Sequence, residues 1–325
     1  MGIYIPNSIL VTGGMGFIGS HVVRELIYRY PNAQVIAFDK LDYCASVNNL
    51  KDLMYHKNFR FINGDICDAD AVRAAMDDAQ VDTVIHMAAQ SHVDRSFTNP
   101  LECTHNNVVG THILLEVSRL CHTVKRFVHM STDEVYGEVP RGEPDSLETD
   151  AMKPTNPYAA SKAGAESLVQ SYGIGFKLPV VICRGNNVYG PCQYPEKLVP
   201  AFTTRMLGGE SCCVHGDGTS KRRFLYVTDA VKGILQVMSR GVLGEIYNIG
   251  CETEKSVLEV AEAIAVILDV PLQLEFVDDR VFNDCRYAVD STKLRKLGWS
   301  EEVNFEEGLR NTVEWYRTLP TADYW

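Results

Sequence analysis

No Cys-x-x-Cys pair occurs among the ten cysteines of this chain, which are scattered rather than spaced as a framework. Zinc ribbons and thiol-redox motifs are therefore not expected, and a chain of 325 residues does not need disulfide staples to fold. The cysteines read as reduced thiols, with the adjacent pair Cys212-Cys213 placing one side chain in and one out along a strand. Nine histidines show neither zincin nor zinc-finger spacing, so no metal is expected. No segment approaches the roughly 20 apolar residues that span a bilayer. Met1 to Asn7 carry no cationic leader ahead of a long apolar stretch, and the expectation is a cytoplasmic protein with no membrane partner. Positive charge is also scarce: 31 Lys and Arg against 42 Asp and Glu leave a net charge of −11, which disfavours nucleic acid as a partner. The one basic triplet, Lys221-Arg222-Arg223, directly precedes the apolar Phe224-Leu225-Tyr226-Val227, and both a solvated charge run and a ligand contact stay open for it.

What is present is alternation. Ser8 to Thr12 is a short apolar run that ends in glycines, and Phe17 to Tyr30 follows with helical spacing through Ile18, Val22, Leu26 and Ile27. Further apolar runs lie at Val35 to Phe38, Phe59 to Ile62, Thr83 to His86, Arg126 to Met130 and Pro179 to Cys183, most of them separated by helical stretches. A helix over 156–177 has Asn156 as its N-cap and Pro157 in its first turn. Strands apolar on both faces and bounded by helices predict an α/β fold: a Rossmann-type doubly wound parallel sheet with a smaller interleaved substrate-binding lobe. After Tyr189-Gly190-Pro191 the alternation loosens, with a short strand at Cys212 to His215 and a helix over 256–268, while Glu245 to Gly250 returns to the main sheet. The division expected is a cofactor-binding domain over 1–188 plus about 222–250, and a substrate domain over about 189–221 plus 251–325.

Gly13, Gly16 and Gly19 leave the first strand and enter a helix, with Phe17 and Ile18 in the turn. A tight turn, close approach to a pyrophosphate and dense helix packing each exclude a side chain there. Asp39, ending the second strand, can accept hydrogen bonds from an adenine-ribose diol and would repel a 2′-phosphate, which favours NAD, whereas neighbouring Lys40 is the feature that speaks for NADP. Asp65 and Ile66 after the third strand would flank adenine, and Ala88 and Ala89 after the fourth give the small surface a dinucleotide needs.

Tyr158 and Lys162 stand four apart on a helix and so share a face. An ammonium beside a phenol, helped by a cationic nicotinamide, favours phenolate and makes Tyr158 a base near neutral pH. Thr132 can hydrogen-bond the same sugar hydroxyl. The adjacent carboxylates Asp133 and Glu134 suit a division into one acid and one base, because different environments drive their pKa values apart.

These motifs, with Ser91 to Ser96, Ser131 to Gly137, Asn187 to Pro191, Pro195-Glu196-Lys197 and Arg280 to Tyr287, give the chain a resemblance along essentially its whole length. It resembles the extended short-chain dehydrogenase/reductases and, within them, the nucleoside-diphosphate-glucose 4,6-dehydratases. Leu41 to Cys44 and Arg184 to Asn187 are most similar to the eukaryotic branch, including the N-terminal domain of plant rhamnose synthases. The chain stops where those fusions continue into an epimerase and reductase domain. Val281 departs from the proline that many relatives place after the arginine, which puts the local loop shape in question. The resemblance implies NAD as cofactor, held in part by Tyr158 and Lys162, a homodimer, and dehydration of UDP-glucose, or of dTDP-glucose, to the 4-keto-6-deoxy sugar. Thr132, Asp133, Glu134, Tyr158 and Lys162 would be catalytic. Asn187, Arg222 and Arg280 would bind the nucleotide diphosphate, with Lys197, His92 and Asn107 as further substrate contacts; for His92 and Asn107 a buried structural role is the alternative. The competing readings are a nucleotide-sugar 4-epimerase, which typically has small or neutral residues in place of Asp133 and Glu134, and a non-catalytic NAD-binding regulator, which would have lost Tyr158, Lys162 or Thr132.

Overall fold

The computed structural model describes residues 2–140, 142–278, 286–319 and 324–325. The cofactor half opens with β1 (Ser8–Thr12), α1 (Phe17–Arg29), β2 (Gln34–Asp39), β3 (Phe59–Asn63), α2 (Ala69–Asp78) and β4 (Thr83–His86). It continues through α3 (Val93–Thr98), α4 (Pro100–Thr104), α5 (Gly110–Cys121), β5 (Arg126–Thr132), α6 (Pro157–Gly175) and β6 (Val180–Gly185). Between α4 and α5 the chain makes one π-helical turn, His105–Val109. There follow β7 (Asn187–Tyr189), α7 (Leu198–Leu207), β8 (Cys212–His215), β9 (Lys221–Tyr226), α8 (Val227–Arg240) and β10 (Ile246–Ile249). The remaining elements are β11 (Glu254–Ser256), α9 (Val257–Leu268), β12 (Leu274–Val277), α10 (Thr292–Arg295) and α11 (Phe305–Thr318).

Among the described residues the main sheet has seven strands in the order β10-β6-β5-β4-β1-β2-β3. Every neighbouring pair is parallel. Side chains alternate between its two faces. Ile9, Val11, Val35, Ala37, Val128 and Val181 pack with α1 and α8 on one side, whereas Leu10, Ile36, Phe38, Phe127, Val180 and Ile182 pack with α2, α5 and α6 on the other. A strand covered on both faces must be apolar throughout, which is why β1 is buried at every position. The order in which strands are added reverses at β1, which β2 and β4 flank, so the carboxyl ends of these parallel strands frame a crevice at the topological switch point.

β10 closes the main sheet against β6, the return expected for Glu245 to Gly250. A three-stranded sheet, β11-β9-β7, and the pair β12-β8 stand beside it. This small sheet crosses the linear division drawn from sequence, because β9 pairs with β7 and β11 rather than with the seven-stranded sheet. In β8, Cys212 is buried and Cys213 only partly so, as the alternation requires. Asn156 caps α6 by accepting a hydrogen bond from the Ala159 amide at 2.8 Å, with Pro157 at the first helical position. Among the described residues no helix is long and apolar enough to cross a membrane.

Candidate active site

The glycine turn is built by close contact. Gly13 has φ +68°, and a Cβ there would lie 2.7 Å from the Ala88 amide nitrogen; a Cβ on Gly19 would collide with the Gly13 carbonyl oxygen. Helix α1 therefore starts directly above β1, with its first-turn amides turned toward the crevice. Gly13, Gly16, Phe17, Ile18 and Gly19 line one wall of a cavity that Asp39, Lys40, Asp65 and Ile66 continue at the ends of β2 and β3. Ala88 and Ala89 floor it beyond β4, and Thr132, Tyr158 and Lys162 close its far end. The cradle that added Cβ atoms would fill, at the positive end of a helix, fits a dinucleotide pyrophosphate.

Asp39 is 8% exposed, and its carboxylate accepts from the amides of Met15 at 3.0 Å and Leu41 at 2.8 Å; burial raises its pKa. The Lys40 ammonium is shared: it donates to Asn106 Oδ1 at 3.1 Å and pairs with Asp65 at 3.5 Å and Asp42 at 4.0 Å. That neutralisation removes the feature which spoke for a 2′-phosphate.

A second cavity is lined by His92, Glu134, Asn187 and Arg222, and it shares Gln193, Glu196 and Lys197 with the first. Strand alternation explains the basic triplet. On β9, Arg222 faces this cavity with its guanidinium 5.1 Å from the Tyr287 ring centre, while Arg223 is buried in a cluster with Asp145 at 2.7 Å and Glu254 at 3.5 Å, which Arg286 also joins. One arginine lines the second cavity, and its neighbour ties β9 to Asp145 and Glu254. Lys197 donates to the Ser91 carbonyl at 2.8 Å, linking the two halves at the shared rim. Arg280 lies outside the described residues.

β5 delivers the reacting groups. Thr132, its last residue, donates to Asp133 Oδ1 at 3.1 Å and accepts from the Glu134 amide at 3.3 Å, capping the short 3₁₀ turn Asp133–Tyr136. Asp133 is 3% exposed and accepts from Asn186 Nδ2 at 2.6 Å. Burial, reinforced by the neighbouring Glu134 charge, pushes its carboxyl up to about 7. Glu134 instead reaches the second cavity, where Asn156 donates to it at 3.0 Å. Two adjacent carboxylates thus sit in different surroundings.

Two expectations are corrected. Tyr158 is not made acidic by Lys162: burial pushes its phenol well up, Glu134 and Asp133 add to this, and a hydrogen bond with Thr132 opposes it. The Lys162 ammonium donates to the Met130 carbonyl at 2.5 Å instead. A cationic ring in the cavity is therefore needed before a phenolate forms near neutral pH. Asn107, named as a substrate contact, is 2% exposed, and its amide is spent inside the protein, donating to the Gln90 carbonyl at 3.0 Å and Ser161 at 2.9 Å and accepting from the Gln90 amide at 2.7 Å. It shapes the cavity floor through Gln90.

Site residues that sequence reasoning missed lie at the rim. Tyr43 donates to the Glu196 carboxylate (3.0 and 2.9 Å), stacks edge-on against Tyr194 and carries the Arg95 guanidinium 3.7 Å from its ring centre. This contact joins the loop after β2 to the loop before α7 across the first cavity; each loop holds a non-glycine residue at positive φ, Leu41 and Cys192. Tyr43 and Glu196 both fall in segments that carry the family resemblance, and that was the available signal. Among the described residues no group of three or more His, Cys, Asp or Glu side chains could hold a metal.

The parallel sheet, its glycine cradle and a Tyr-x-x-x-Lys helix beside a Thr-Asp-Glu strand end define a short-chain dehydrogenase/reductase-type protein. A family model described as GDP-mannose 4,6 dehydratase matches residues 10–312, and the chain belongs to that family. It is 46% identical over all its length to a trifunctional UDP-glucose 4,6-dehydratase/UDP-4-keto-6-deoxy-D-glucose 3,5-epimerase/UDP-4-keto-L-rhamnose-reductase of Arabidopsis thaliana, of which the alignment covers 49%. The chain thus spans about half the length of this and similar plant relatives. It is equally, 46%, identical over 95% of its length to the dTDP-D-glucose 4,6-dehydratase of Bos taurus, covering 88% of that protein. A crystal structure of the dTDP-glucose 4,6-dehydratase of Streptomyces venezuelae with NAD bound superposes with a TM-score of 0.91 at 39% identity, covering 95% of this chain and 97% of the other.

Proposed function

We propose that this protein is an NAD-dependent nucleoside-diphosphate-glucose 4,6-dehydratase that acts on UDP-glucose in preference to dTDP-glucose. The observation that carries the reading is the split at the end of β5: Asp133, buried and held near neutrality, beside Glu134, which opens into the second cavity. Adjacent carboxylates in different surroundings are what an elimination needs and a 4-epimerase does not. When bound, the nicotinamide dinucleotide accepts hydride from sugar C4 and returns it to C6. Gly13, Gly16, Gly19 and Asp39 would hold it. Tyr158, hydrogen-bonded with Thr132, takes the proton of the 4-hydroxyl. The resulting 4-ketone acidifies C5, where Glu134 removes the proton while Asp133, protonated, donates to the departing 6-hydroxyl, and water leaves. Asn187, Lys197, Arg222 and His92 surround the substrate, with guanidinium suited to diphosphate oxygens. The division into an NAD lobe and a substrate lobe, with the small sheet at their seam, belongs to the same reading, as do a homodimer and a cytoplasmic setting.

The uridine preference leans on the alignment with the plant protein spanning 100% of this chain against 95% for the bovine protein, at the same 46% identity. Purified protein given UDP-glucose should yield UDP-4-keto-6-deoxyglucose with no net NADH. A higher kcat/KM for dTDP-glucose would overturn the nucleotide choice, and stoichiometric NADH release would overturn the redox cycle.

A further inference from the structure

Beneath the reacting groups lies a buried polar layer that touches neither cavity. Tyr158, Lys162 and Glu166 follow at four-residue spacing on α6 and so line one face of that helix. Glu166 is 0% exposed. Its carboxylate accepts from Arg184 Nε at 3.1 Å and Nη2 at 2.5 Å, and from Gln170 at 3.0 Å. Arg184, on β6, is itself 2% exposed and lies 4.5 Å from the Tyr136 ring centre. One buried carboxylate thus has a buried arginine bonded to it and a buried lysine one helical turn before it on the same face. We propose that Glu166 is a positioning residue that keeps Lys162 charged and aimed at the end of β5, with Arg184 in turn holding Glu166 in place through paired hydrogen bonds. The inference rests on the reading of Tyr158 and Lys162 as machinery of the hydride step.

Among the described residues Glu166 is the one carboxylate that acts on the ammonium. His129 on β5 and His86 on β4 are fully buried rings, held neutral by burial and by the Lys162 charge, and Cys103 on α4 is a thiol whose burial keeps it protonated. Asp133 and Glu134 act on Tyr158. Burial alone drives a lysine toward its neutral form, and here it lowers Lys162 to about 8, with Glu166 first among the opposing charges. Glu166 makes its bonds to Arg184 and Gln170, so it acts on Lys162 through the field across one helical turn. Of the two cations only lysine can shed its proton, since arginine stays charged in proteins. Loss of the Glu166 charge therefore falls on Lys162.

The test is the pH dependence of the first hydride transfer, read as enzyme-bound NADH on rapid mixing with UDP-glucose. Glu166→Gln should move the alkaline limb down by at least about one pH unit, a loss of roughly tenfold above it, while Glu166→Asp, which keeps the charge, should hold the limb near the wild-type position. Because Glu166→Gln leaves Arg184 buried and uncompensated, the double variant Glu166→Gln/Arg184→Met removes both charges, as apolar replacement of a buried pair permits. It should regain thermal stability and still show a lowered limb. A wild-type limb in the folded double variant, or a limb lowered as much in Glu166→Asp as in Glu166→Gln, overturns the proposal in favour of packing. Failure of the underlying reading shows separately: Tyr158→Phe would then transfer hydride at the wild-type rate.

Discussion

Asp133→Asn replaces the acid with the isostere of its protonated form: the amide oxygen can still accept from Asn186, and the amide nitrogen can donate to Thr132. In the wild type the carboxyl titrates near 7 when folded, against 3.8 for the free group. Its folded-state pKa lies above the unfolded one, so its stabilising contribution is full below about pH 4 and is lost as pH rises through about 7. The difference of roughly three units corresponds to about 4 kcal/mol at about 1.36 kcal/mol per unit, of which about 2–3 kcal/mol falls between pH 5 and 8. Asparagine does not titrate. The variant should therefore gain on the wild type by that amount over this range, a widening in Tm of roughly 5 °C. Urea denaturation of both proteins at matched cofactor content, from pH 5 to 8, measures it. Parallel stability curves would show that Asp133 is ionised throughout and is no proton donor. The same substitution should slow loss of the 6-hydroxyl by roughly 10²-fold or more while bound NADH still forms.

Glu134→Gln should likewise form bound NADH but neither release water nor exchange the C5 hydrogen with deuterated solvent; mass spectrometry of the sugar reads both, and wild-type deuterium uptake would place the base elsewhere. Tyr158→Phe should preserve the fold and nucleotide binding and lower turnover by about 10²–10⁴-fold, the usual range for a general base. Gly19→Ala drives a methyl into the Gly13 carbonyl, so it should cost at least about 1–3 kcal/mol of stability and weaken NAD retention, read by absorbance of the protein after gel filtration. Phenylalanine at Tyr43 removes the hydroxyl that bonds Glu196, and bound NAD should then exchange with added labelled NAD several-fold faster than in the wild type.

Local signals carried most of the scaffold. β1 and β4 have the bounds that their apolar runs predict, and α6 starts on the Asn156 cap, because strand burial on two faces and cap chemistry are written within a few residues. The glycines, Asp39 and the alanines after β4 meet in one cavity because every strand ends on the same edge of a parallel sheet. What escaped was long-range. Tyr43 and Glu196 are separated by 153 positions, and nothing near either one says that they touch. The direction of Lys162 escaped as well, since helical spacing puts it beside Tyr158 but cannot say that the Met130 carbonyl captures its ammonium. Asn107 reads as a polar residue near the cofactor, and only the surrounding donors and acceptors show that its valences are spent.

β5 sends three consecutive residues to three destinations: Thr132 to the first cavity, Asp133 into the interior and Glu134 to the second. The strand is hydrogen-bonded on one side to β4 and on the other to β6, the latter pairing running to Thr132 opposite Gly185. Side chains in a strand change face with every residue, so a slip of one position would exchange the occupants of the two faces all along it. Asp133 and Glu134 lie just past the strand, in the 3₁₀ turn that Thr132 caps, so an insertion or deletion of a single residue within Arg126 to Thr132 would move both carboxylates out of the surroundings that β5 gives them. Fidelity of strand pairing in folding thus fixes the different surroundings of the two carboxylates, through a ladder of backbone hydrogen bonds that ends at Thr132.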